Sequence, residues 1–213
     1  MSDKPFAPAA NRNREPILEV LRSEFADRHR VLEIGSGTGQ HAVWFAHHLR
    51  HLAWQTSDLQ DRLAGISAWV SSAALANLAQ PVELDVMSTT DLPGNYDAVF
   101  SANTAHIMDI DAVREMFRLV GRSLPEGGKF LLYGPFNMQG RFTSESNQAF
   151  DASLRAQDPS MGIRDIEVLD RFGSEAGLAR SDLYAMPANN FVAVWIRAGR
   201  SGFQGDAAAD AAS

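Results

Sequence analysis

The sequence contains no cysteine among its 213 residues, and this absence excludes several chemistries at once. Without thiols the chain can form no disulfide, no cysteine-ligated zinc site and no iron–sulfur cluster. The length suits one well-buried domain and is short for two. Apolar residues make up 45% of the chain and charged residues 21%, which is ordinary for a soluble globular protein.

Basic residues are fewer than acidic ones. The chain has 19 lysines and arginines against 26 acidic residues, which gives a net charge of −7. Because neutralisation of phosphates dominates affinity for nucleic acids, an acidic chain without a basic stripe disfavours DNA or RNA as a stable substrate. Only a local basic groove would change this, so the composition favours a small-molecule substrate.

Long apolar runs are missing as well. No segment approaches the roughly 20 apolar residues of a membrane span. The first residues, Met1–Pro5, are not followed by the apolar core of a signal peptide. We therefore expect a cytoplasmic protein with no membrane partner.

Glycine, in contrast, is concentrated at one informative place. An apolar strand pattern carrying Glu33 runs into Gly35, Gly37 and Gly39 and then into a helix. Such turns let the backbone approach a nucleotide cofactor. A dinucleotide motif would need a small residue where Gln40 stands, and the acid suits a cationic ligand better than a pyrophosphate.

The pattern E-x-G-x-G-x-G resembles the first motif of Rossmann-like S-adenosylmethionine-dependent methyltransferases. A phosphate or dinucleotide site, and a glycine turn that binds nothing, remain as alternatives. The lack of cysteine argues against radical use of this cofactor and against 5-cytosine methylation, so polar methyl transfer remains.

Alternating strand and helix patterns predict an α/β fold with a mostly parallel, doubly wound sheet. The seven predicted strands lie at about 30–35, 52–57, 81–84, 96–101, 129–133, 178–185 and 191–197, the last two as a terminal antiparallel pair. Helices are predicted at about 14–27, 39–50, 111–123, 147–157 and 164–177, with another after Asp58.

The same patterns suggest a single domain over 1–198. Within it, 1–29 would form an N-terminal cap helix, and 134–160 would form an insertion over the active site. From 199 to 213 glycine, alanine, serine and aspartate predominate, so this tail is expected to be disordered.

Acidic residues at the ends of the second and third strands are candidates for adenosine recognition. Asp58 follows the glycines by about 20 residues, where such sheets place the acceptor for ribose hydroxyls. Asp85 with Val86 would accept from the adenine amino group beside an apolar contact. Helix-cap and turn roles are the alternatives. Gln40 and His41, at a helix N-terminus, could meet the cofactor carboxylate.

The loop after the fourth strand should line the pocket beside the transferable methyl group. It includes Asn103, assigned to the cofactor, and His106, the best candidate for a general base near neutral pH. Tyr133 ends the fifth strand at the same rim and could orient the methyl acceptor. Simple packing is the alternative for both His106 and Tyr133.

Two possible metal sites are rejected. His47 and His51 lie one helical turn apart, but no carboxylates are spaced to complete a site. Asp109 and Asp111 fit better as helix N-caps than as magnesium ligands.

Several segments together resemble one family. These are residues 6–17, the glycine motif with Gln40-His41-Ala42, and the segments 133–136, 161–165 and 186–190. The chain is similar to domain-of-unknown-function family 938, the methyltransferase-like 26 group, over nearly all but its C-terminal tail. The resemblance implies a class I methyltransferase fold and S-adenosylmethionine binding, without naming the methyl acceptor. The loop after the fourth strand lacks the acidic or Asn-Pro-Pro-aromatic signature of methyltransferases acting on DNA bases or protein glutamine.

Asparagine and arginine are frequent in these segments. Guanidinium and amide groups recognise carboxylates, phosphates and polar amides, so a small, polar acceptor, neutral or anionic, is expected. The candidate substrate residues are Arg12, Asn13, Arg14, Arg141, Arg164, Asn189 and Asn190. Internal pairing, for example of Arg14 or of Asp165, is the alternative.

The sequence therefore predicts an S-adenosylmethionine-dependent methyltransferase that acts on nitrogen or oxygen of a small polar molecule. A non-catalytic cofactor-binding module is the first rival. An NAD-dependent oxidoreductase is the second, and Gln40 disfavours it.

Overall fold

The computed structural model of the protein describes residues 4–199. Its helices are α1 (Pro8–Glu24), α2 (Gln40–His48), α3 (Leu63–Ala73), α4 (Ile110–Ser123), α5 (Glu145–Gln157) and α6 (Ile166–Glu175). Its strands are β1 (Arg30–Ile34), β2 (Ala53–Asp58), β3 (Leu78–Glu83), β4 (Ala98–Ala102), β5 (Lys129–Gly134), β6 (Phe136–Asn137), β7 (Arg164–Asp165), β8 (Leu178–Met186) and β9 (Asn190–Arg197).

Seven of these strands form one sheet in the order β3-β2-β1-β4-β5-β9-β8. The first five are parallel to one another, and β9 runs antiparallel to both β5 and β8. The predicted mostly parallel seven-stranded sheet with a terminal antiparallel pair is confirmed.

Each face of the sheet is covered by its own apolar core, as expected for parallel strands between two layers of helices. Strand β1 shows why. Because successive side chains of a strand point to opposite faces, Leu32 joins the core that contains Phe117 of α4. Val31, its neighbour, joins the core that contains Phe45 of α2. The alternation fixes which helices pack on which side.

Several elements differ from their predicted limits, among them β3, which begins at Leu78 rather than near residue 81. Helix α1 begins at Pro8 rather than near residue 14, because proline is well suited to the first helical turn. Arg164 and Asp165 do not belong to the helix predicted there. They pair with β6 in a separate two-stranded sheet, and the Asp165 carboxylate then caps α6 by accepting from the Glu167 N–H.

A partly buried ion pair attaches α1 to the sheet. The Glu24 carboxylate lies 2.9 Å from Lys129 Nζ of β5 and also accepts a hydrogen bond from the Tyr184 hydroxyl of β8. One carboxylate thereby joins three elements that are far apart in the sequence. It holds the C-terminal end of α1 in place and so fixes the direction of the helix.

Within residues 4–199 no helix combines the length and apolar character needed to cross a bilayer. The predicted disordered tail lies, apart from Gly199, outside the described residues.

We predict that Gly121→Ala destabilises the protein. A Cβ at this position of α4 would overlap the carbonyl group of Ala176, at the end of α6. Overpacking costs about 1–3 kcal/mol, and the better helix propensity of alanine returns at most about 1 kcal/mol. Denaturant unfolding should therefore show a net loss of stability.

Arg118→Ala on the exposed side of the same helix is the control. It removes only an exposed ion pair with Glu115 and should change the unfolding free energy by less than about 0.5 kcal/mol. A Gly121→Ala protein as stable as the wild type would contradict the close approach of α4 and α6.

Candidate functional site

The strand order reverses between β1 and β4, and the site lies at that point. Strand β1 continues outward through β2 and β3, whereas β4 continues through β5 on the other side. The loops after β1 and β4 therefore separate, and this leaves a crevice at the carboxyl ends of the strands. A cavity of about 1560 Å³ occupies the crevice.

The cavity brings together most of the predicted site residues. Those that line it are Arg12, Asn13, Gly35, Gly37, His41, Asp58, Asp85, Val86, Asn103, His106, Tyr133 and Asn190. Those that do not line it are Arg14, Glu33, Gly39, Gln40, Arg141, Arg164 and Asn189.

The glycine loop forms one wall, and two of its glycines are required by space or conformation. Gly35 has a φ of +72°, and a Cβ there would lie 2.6 Å from Thr104 Cγ2. Gly37 has a φ of +58° and nothing within 4 Å of its Cβ position. The first glycine lets two loops touch, and the second leaves its backbone open to a ligand.

Glu33 lies behind this wall, not on it. Its carboxyl group accepts hydrogen bonds from Trp54 Nε1 at 3.1 Å and Ser36 Oγ at 3.2 Å. Burial raises the pKa of Glu33 to about 7, against which these two hydrogen bonds act only in part. Glu33, predicted to suit a cationic ligand, does not line the cavity. The side chain holds the glycine loop against β2 instead.

Gly39 and Gln40 also serve the scaffold. Gly39 has a φ of +86°, and a Cβ there would lie 3.3 Å from the backbone of Ile66, so it allows α2 to approach α3. The side-chain oxygen of Gln40 accepts from the Ala7 N–H at 2.5 Å. Gln40 therefore contributes by attaching the N-terminal segment, which itself lines the cavity.

Asp58 lies where the sequence predicted an acid. Its Oδ2 accepts from the Gly37 N–H at 2.7 Å, and its Oδ1 accepts from the Leu59 N–H at 2.8 Å. Burial raises its pKa, while the two backbone donors oppose that rise. The carboxylate is thus held rigidly at the cavity wall.

Asp85 and Val86 form the neighbouring part of the wall. Asp85 Oδ1 accepts from the Met87 N–H at 2.9 Å. The side chain of Val86 is buried, and its N–H has no hydrogen-bond acceptor within residues 4–199. The Asp85 carboxylate, a hydrogen-bond acceptor, and the Val86 N–H, a donor, therefore lie next to each other at the cavity wall.

The loop after β4 contains the group best suited to proton transfer. Asn103 adopts a φ of +60°, and its N–H donates to the carbonyl of Tyr133. His106 is 6% exposed and lines the cavity, and its ring packs edge-on against that of Phe150, with 5.3 Å between the ring centroids. Burial, with a smaller effect of the Arg164 charge, lowers its pKa to about 4. The imidazole is neutral at pH 7.

Arg164 supports this loop from behind. Its guanidinium donates to the carbonyls of Ala105 at 2.9 Å and Ser160 at 2.7 Å, and also to that of Met108. Arg164, predicted to bind substrate, does not line the cavity, and its Nε and Nη2 donate to backbone carbonyls.

Three further substrate candidates also lie away from the cavity. Arg14 stacks on the Trp44 ring, with 3.9 Å between its Cζ and the ring centroid. Arg141 is exposed and pairs with Met138 through the backbone. Asn189 donates to Ser146 Oγ at 3.2 Å.

Tyr133, near the end of β5, lies beside the loop that follows β4, because its carbonyl accepts from the Asn103 N–H. Burial raises the pKa of Tyr133, and the Asn13 side chain partly opposes this. Asn13 Oδ1 in turn lies 2.7 Å from His41 Nε2. All three residues line the cavity.

Sequence reasoning missed several lining residues, among them Phe150 and Asn147 of α5, Leu59, Pro5 and Ala7. The polar and aromatic segment after Tyr133 was the available signal for α5. No spacing rule pointed to the N-terminal segment, because it reaches the cavity only through contacts with α2 and α3.

No cluster of three or more histidine, aspartate or glutamate side chains in the part of the chain that the structure describes could hold a metal ion.

Comparisons with known proteins agree with this geometry. The family described as "Protein of unknown function (DUF938)" matches residues 4–197. The fold is similar to that of the S-adenosylmethionine-dependent methyltransferase SibL in its apo form, with a TM-score of 0.74 and 21% identity over 90% of this chain and 56% of that one.

Two further solved structures are similar in fold to this chain. An O-methyltransferase family protein from Burkholderia thailandensis has a TM-score of 0.73 and 16% identity over 87% of this chain and 56% of its own. PigF with SAH has a TM-score of 0.73 and 18% identity over 85% of this chain and 54% of its own. The chain thus spans little more than half the length of these proteins. At such identities the likeness shows the fold, which is the Rossmann-like class I methyltransferase fold predicted from the sequence.

We predict that His106 makes stability fall as the pH is lowered. Its pKa is about 4 in the folded protein against 6.5 for the free side chain, so below pH 6.5 the unfolded chain binds more protons. Between pH 7 and pH 5 this should remove about 2 kcal/mol from the free energy of unfolding.

Denaturant unfolding of the wild type and His106→Gln at both pH values tests this. The wild type should lose about 2 kcal/mol more than the variant over this range. Glu33 titrates in the opposite sense, but it is present in both proteins and cancels in the difference. Equal pH dependence in the two proteins would contradict a buried, neutral His106.

Proposed function

This chain belongs to the family described as "Protein of unknown function (DUF938)", and we propose that it is an S-adenosylmethionine-dependent methyltransferase acting on a small polar molecule. One observation carries the proposal. A single cavity at the strand-order reversal joins an open glycine loop and a carboxylate at the end of β2 to a neutral imidazole after β4. We also propose membership of the methyltransferase-like 26 group, which rests on the sequence motifs.

The residues present fit the proposed cofactor. Each Asp58 oxygen accepts one N–H, and a carboxylate has about four lone-pair positions, so capacity remains for ribose hydroxyls. The Asp85 carboxylate and the free Val86 N–H offer an acceptor and a donor for the edge of adenine. Gly37 leaves room for the backbone to approach the amino-acid part.

When bound, S-adenosylmethionine supplies an electrophilic methyl group on a sulfonium. The chain must then hold the acceptor in line with that methyl group and keep water out. Phe150, Ile107 and Met108 supply apolar walls beside His106. Positioning of this kind is worth effective molarities of roughly 10⁵–10⁸ M and should be the main source of rate.

His106 is the proposed proton acceptor. Because it is neutral at pH 7, a ring nitrogen can take a proton from a hydroxyl or amine as the methyl bond forms. Its low pKa makes it a weak base, so its contribution should lie at the lower end of the usual range.

The acceptor is proposed to be polar and uncharged. Arg14, Arg141 and Arg164 do not line the cavity, and Arg62, which does, lies 3.5 Å from Asp61. Only Arg12 is then left among the predicted arginines to meet an anion. The part of the cavity near His106 and Tyr133, where we place the methyl acceptor, is lined instead by an imidazole, a phenol and the amide of Asn13. These groups recognise neutral hydrogen-bond donors and acceptors.

Transfer of labelled methyl groups from S-adenosylmethionine to a metabolite extract, followed by identification of the labelled product, tests the proposal. A labelled small molecule is the expected result. Binding of S-adenosylhomocysteine without any transfer would instead indicate the rival, a non-catalytic binding module. Binding of NAD in its place would overturn the cofactor assignment.

We predict that Asp58→Ala weakens binding of S-adenosylhomocysteine by about 1–3 kcal/mol, the range for losing a buried hydrogen bond to a charged group. Isothermal calorimetry measures this. Asp61→Ala is the matched control, since Asp61 also lines the cavity but its side chain is 71% exposed. An unchanged affinity in a folded Asp58→Ala protein would remove Asp58 from the site.

We also predict that His106→Ala lowers turnover by about 10²-fold, the lower end of the range for general-base catalysis. Affinity for S-adenosylhomocysteine should stay within a few-fold, because the lost interaction belongs to the transition state. Turnover within about threefold of wild type at saturating acceptor would mean that positioning alone carries the reaction.

A further inference from the structure

The segment before α1 connects two helices at the cofactor end of the cavity. Residues 4–7, which we call the strap, reach from α3 to the first residue of α2. Helix α2 follows the glycine loop, and α3 follows Asp58, the two features that we assign to the cofactor. Pro5 and Ala7 of the strap line the cavity. The strap therefore borders the space in which we place the cofactor.

Two side chains from these helices hold the strap. Trp69 Nε1 of α3 donates to the Pro5 carbonyl at 2.7 Å. The Gln40 side-chain oxygen accepts from the Ala7 N–H at 2.5 Å. Lys4 Nζ lies 5.0 Å from the centroid of the Trp69 ring. Trp69 and Gln40 do not themselves line the cavity, so their contacts serve the strap.

The strap has few other attachments. Phe6 is 59% exposed, and residues 4–6 form no backbone–backbone hydrogen bond with any part of residues 4–199. Segments of this kind detach at a low cost in free energy. Pro5 and Pro8 restrict the backbone of the detached strap, which reduces the entropy lost when it docks again. The strap is thus suited to detach and return while the rest of the fold stays intact.

Gly65 shows that α3 is shaped to receive the strap. It lies in the first turn of α3, and its φ is outside the left-handed region that favours glycine. A Cβ there would lie 2.8 Å from Pro5 Cγ, and its three nearest atoms would all belong to Pro5. Glycine is a poor helix former, so the helix itself does not account for it. The close approach of Pro5 does.

We propose that Gln40, Gly65 and Trp69 are positioning residues that hold the strap closed over the cofactor, and that the cofactor enters and leaves only when the strap detaches from them. This rests on the proposed function for the identity of the bound molecule. The two hydrogen bonds that hold the strap involve no group assigned to the cofactor. Weakening them therefore favours detachment equally with and without cofactor, so binding and release should accelerate together at nearly constant affinity.

Rapid filtration with labelled S-adenosylhomocysteine measures the rates of binding and release, the latter during a chase with unlabelled compound. Trp69→Phe removes the donor to Pro5 and keeps an aromatic ring. Both rates should rise about 3- to 10-fold, the effect of one neutral hydrogen bond, and the dissociation constant should stay within about threefold. Trp44→Phe is the matched control, because Trp44 Nε1 has no hydrogen-bond partner within residues 4–199. Its two rates should equal those of the wild type.

Gly65→Ala should also accelerate both rates, because the added methyl group displaces Pro5. Alanine is the better helix former, so the denaturation midpoint should not fall and a general loss of structure is not the cause. Faster release with weaker affinity and an unchanged rate of binding would overturn the proposal, because the strap would then be only a contact surface. Unchanged rates in both Trp69→Phe and Gly65→Ala would overturn it as well.

Hydrogen exchange at the tryptophan indoles, followed by NMR without any cofactor, tests the docking of the strap directly. The Trp69 indole N–H should be protected in the wild type and exchange faster in Gly65→Ala and Gln40→Ala. The Trp54 indole, which donates to buried Glu33, should exchange equally slowly in all three proteins. An unprotected Trp69 indole in the wild type would overturn the proposal.

The proposed function can fail separately. A wild type that does not bind S-adenosylhomocysteine would overturn the cofactor assignment, and the exchange of the Trp69 indole would still decide whether the strap is docked. The two failures are therefore distinguishable.

Discussion

The hydrogen bond from the Gly37 N–H to the Asp58 carboxylate, 2.7 Å long, ties the loop after β1 to the end of β2. Two neighbouring bonds strengthen the connection: Ser36 N–H donates to the carbonyl of Ser57, and Ser57 Oγ donates to that of Glu33 at 2.7 Å. On the other side, Ser101 Oγ of β4 donates to the carbonyl of Ile34 at 2.7 Å, and Gly35 lies against Thr104. The glycine loop is therefore held from both sides, and the Asp58 carboxylate and the Gly37 backbone lie side by side at the cavity wall.

Burial at this site selects neutral groups. The pKa of Glu33 rises to about 7, and those of His41 and His106 fall to about 4, each mainly because burial disfavours the charged form. Charged side chains also line the cavity, among them Asp58, Asp61 and Arg62, so neutrality is confined to the buried imidazoles. Of the arginines predicted to bind substrate, Arg12 lines the cavity, whereas Arg164 donates to backbone carbonyls and Arg14 stacks on an aromatic ring.

The fold was largely predictable because strand alternation and glycine spacing are local signals. The positions of Asp58, Asp85, Asn103 and His106 followed, since residues at the carboxyl ends of parallel strands share one edge. The direction of a side chain was less predictable. Glu33 and Arg164 lie close to the site in the sequence pattern but point into the scaffold, where partners from distant segments receive them. Phe150 reaches the cavity only through the placement of α5, which no local pattern fixes.

The position of β9 has a consequence for synthesis of the chain. Among the strands of residues 4–199 it comes last in sequence, yet it lies inside the sheet between β5 and β8. On a ribosome α1 and the glycine loop emerge before β5, and β5 lacks its neighbour β9 until residue 197 has left the exit tunnel. Until then one edge of β5 offers unpaired backbone groups, which favour aggregation. Nascent chains stalled before β9 should therefore be the forms that depend on chaperones.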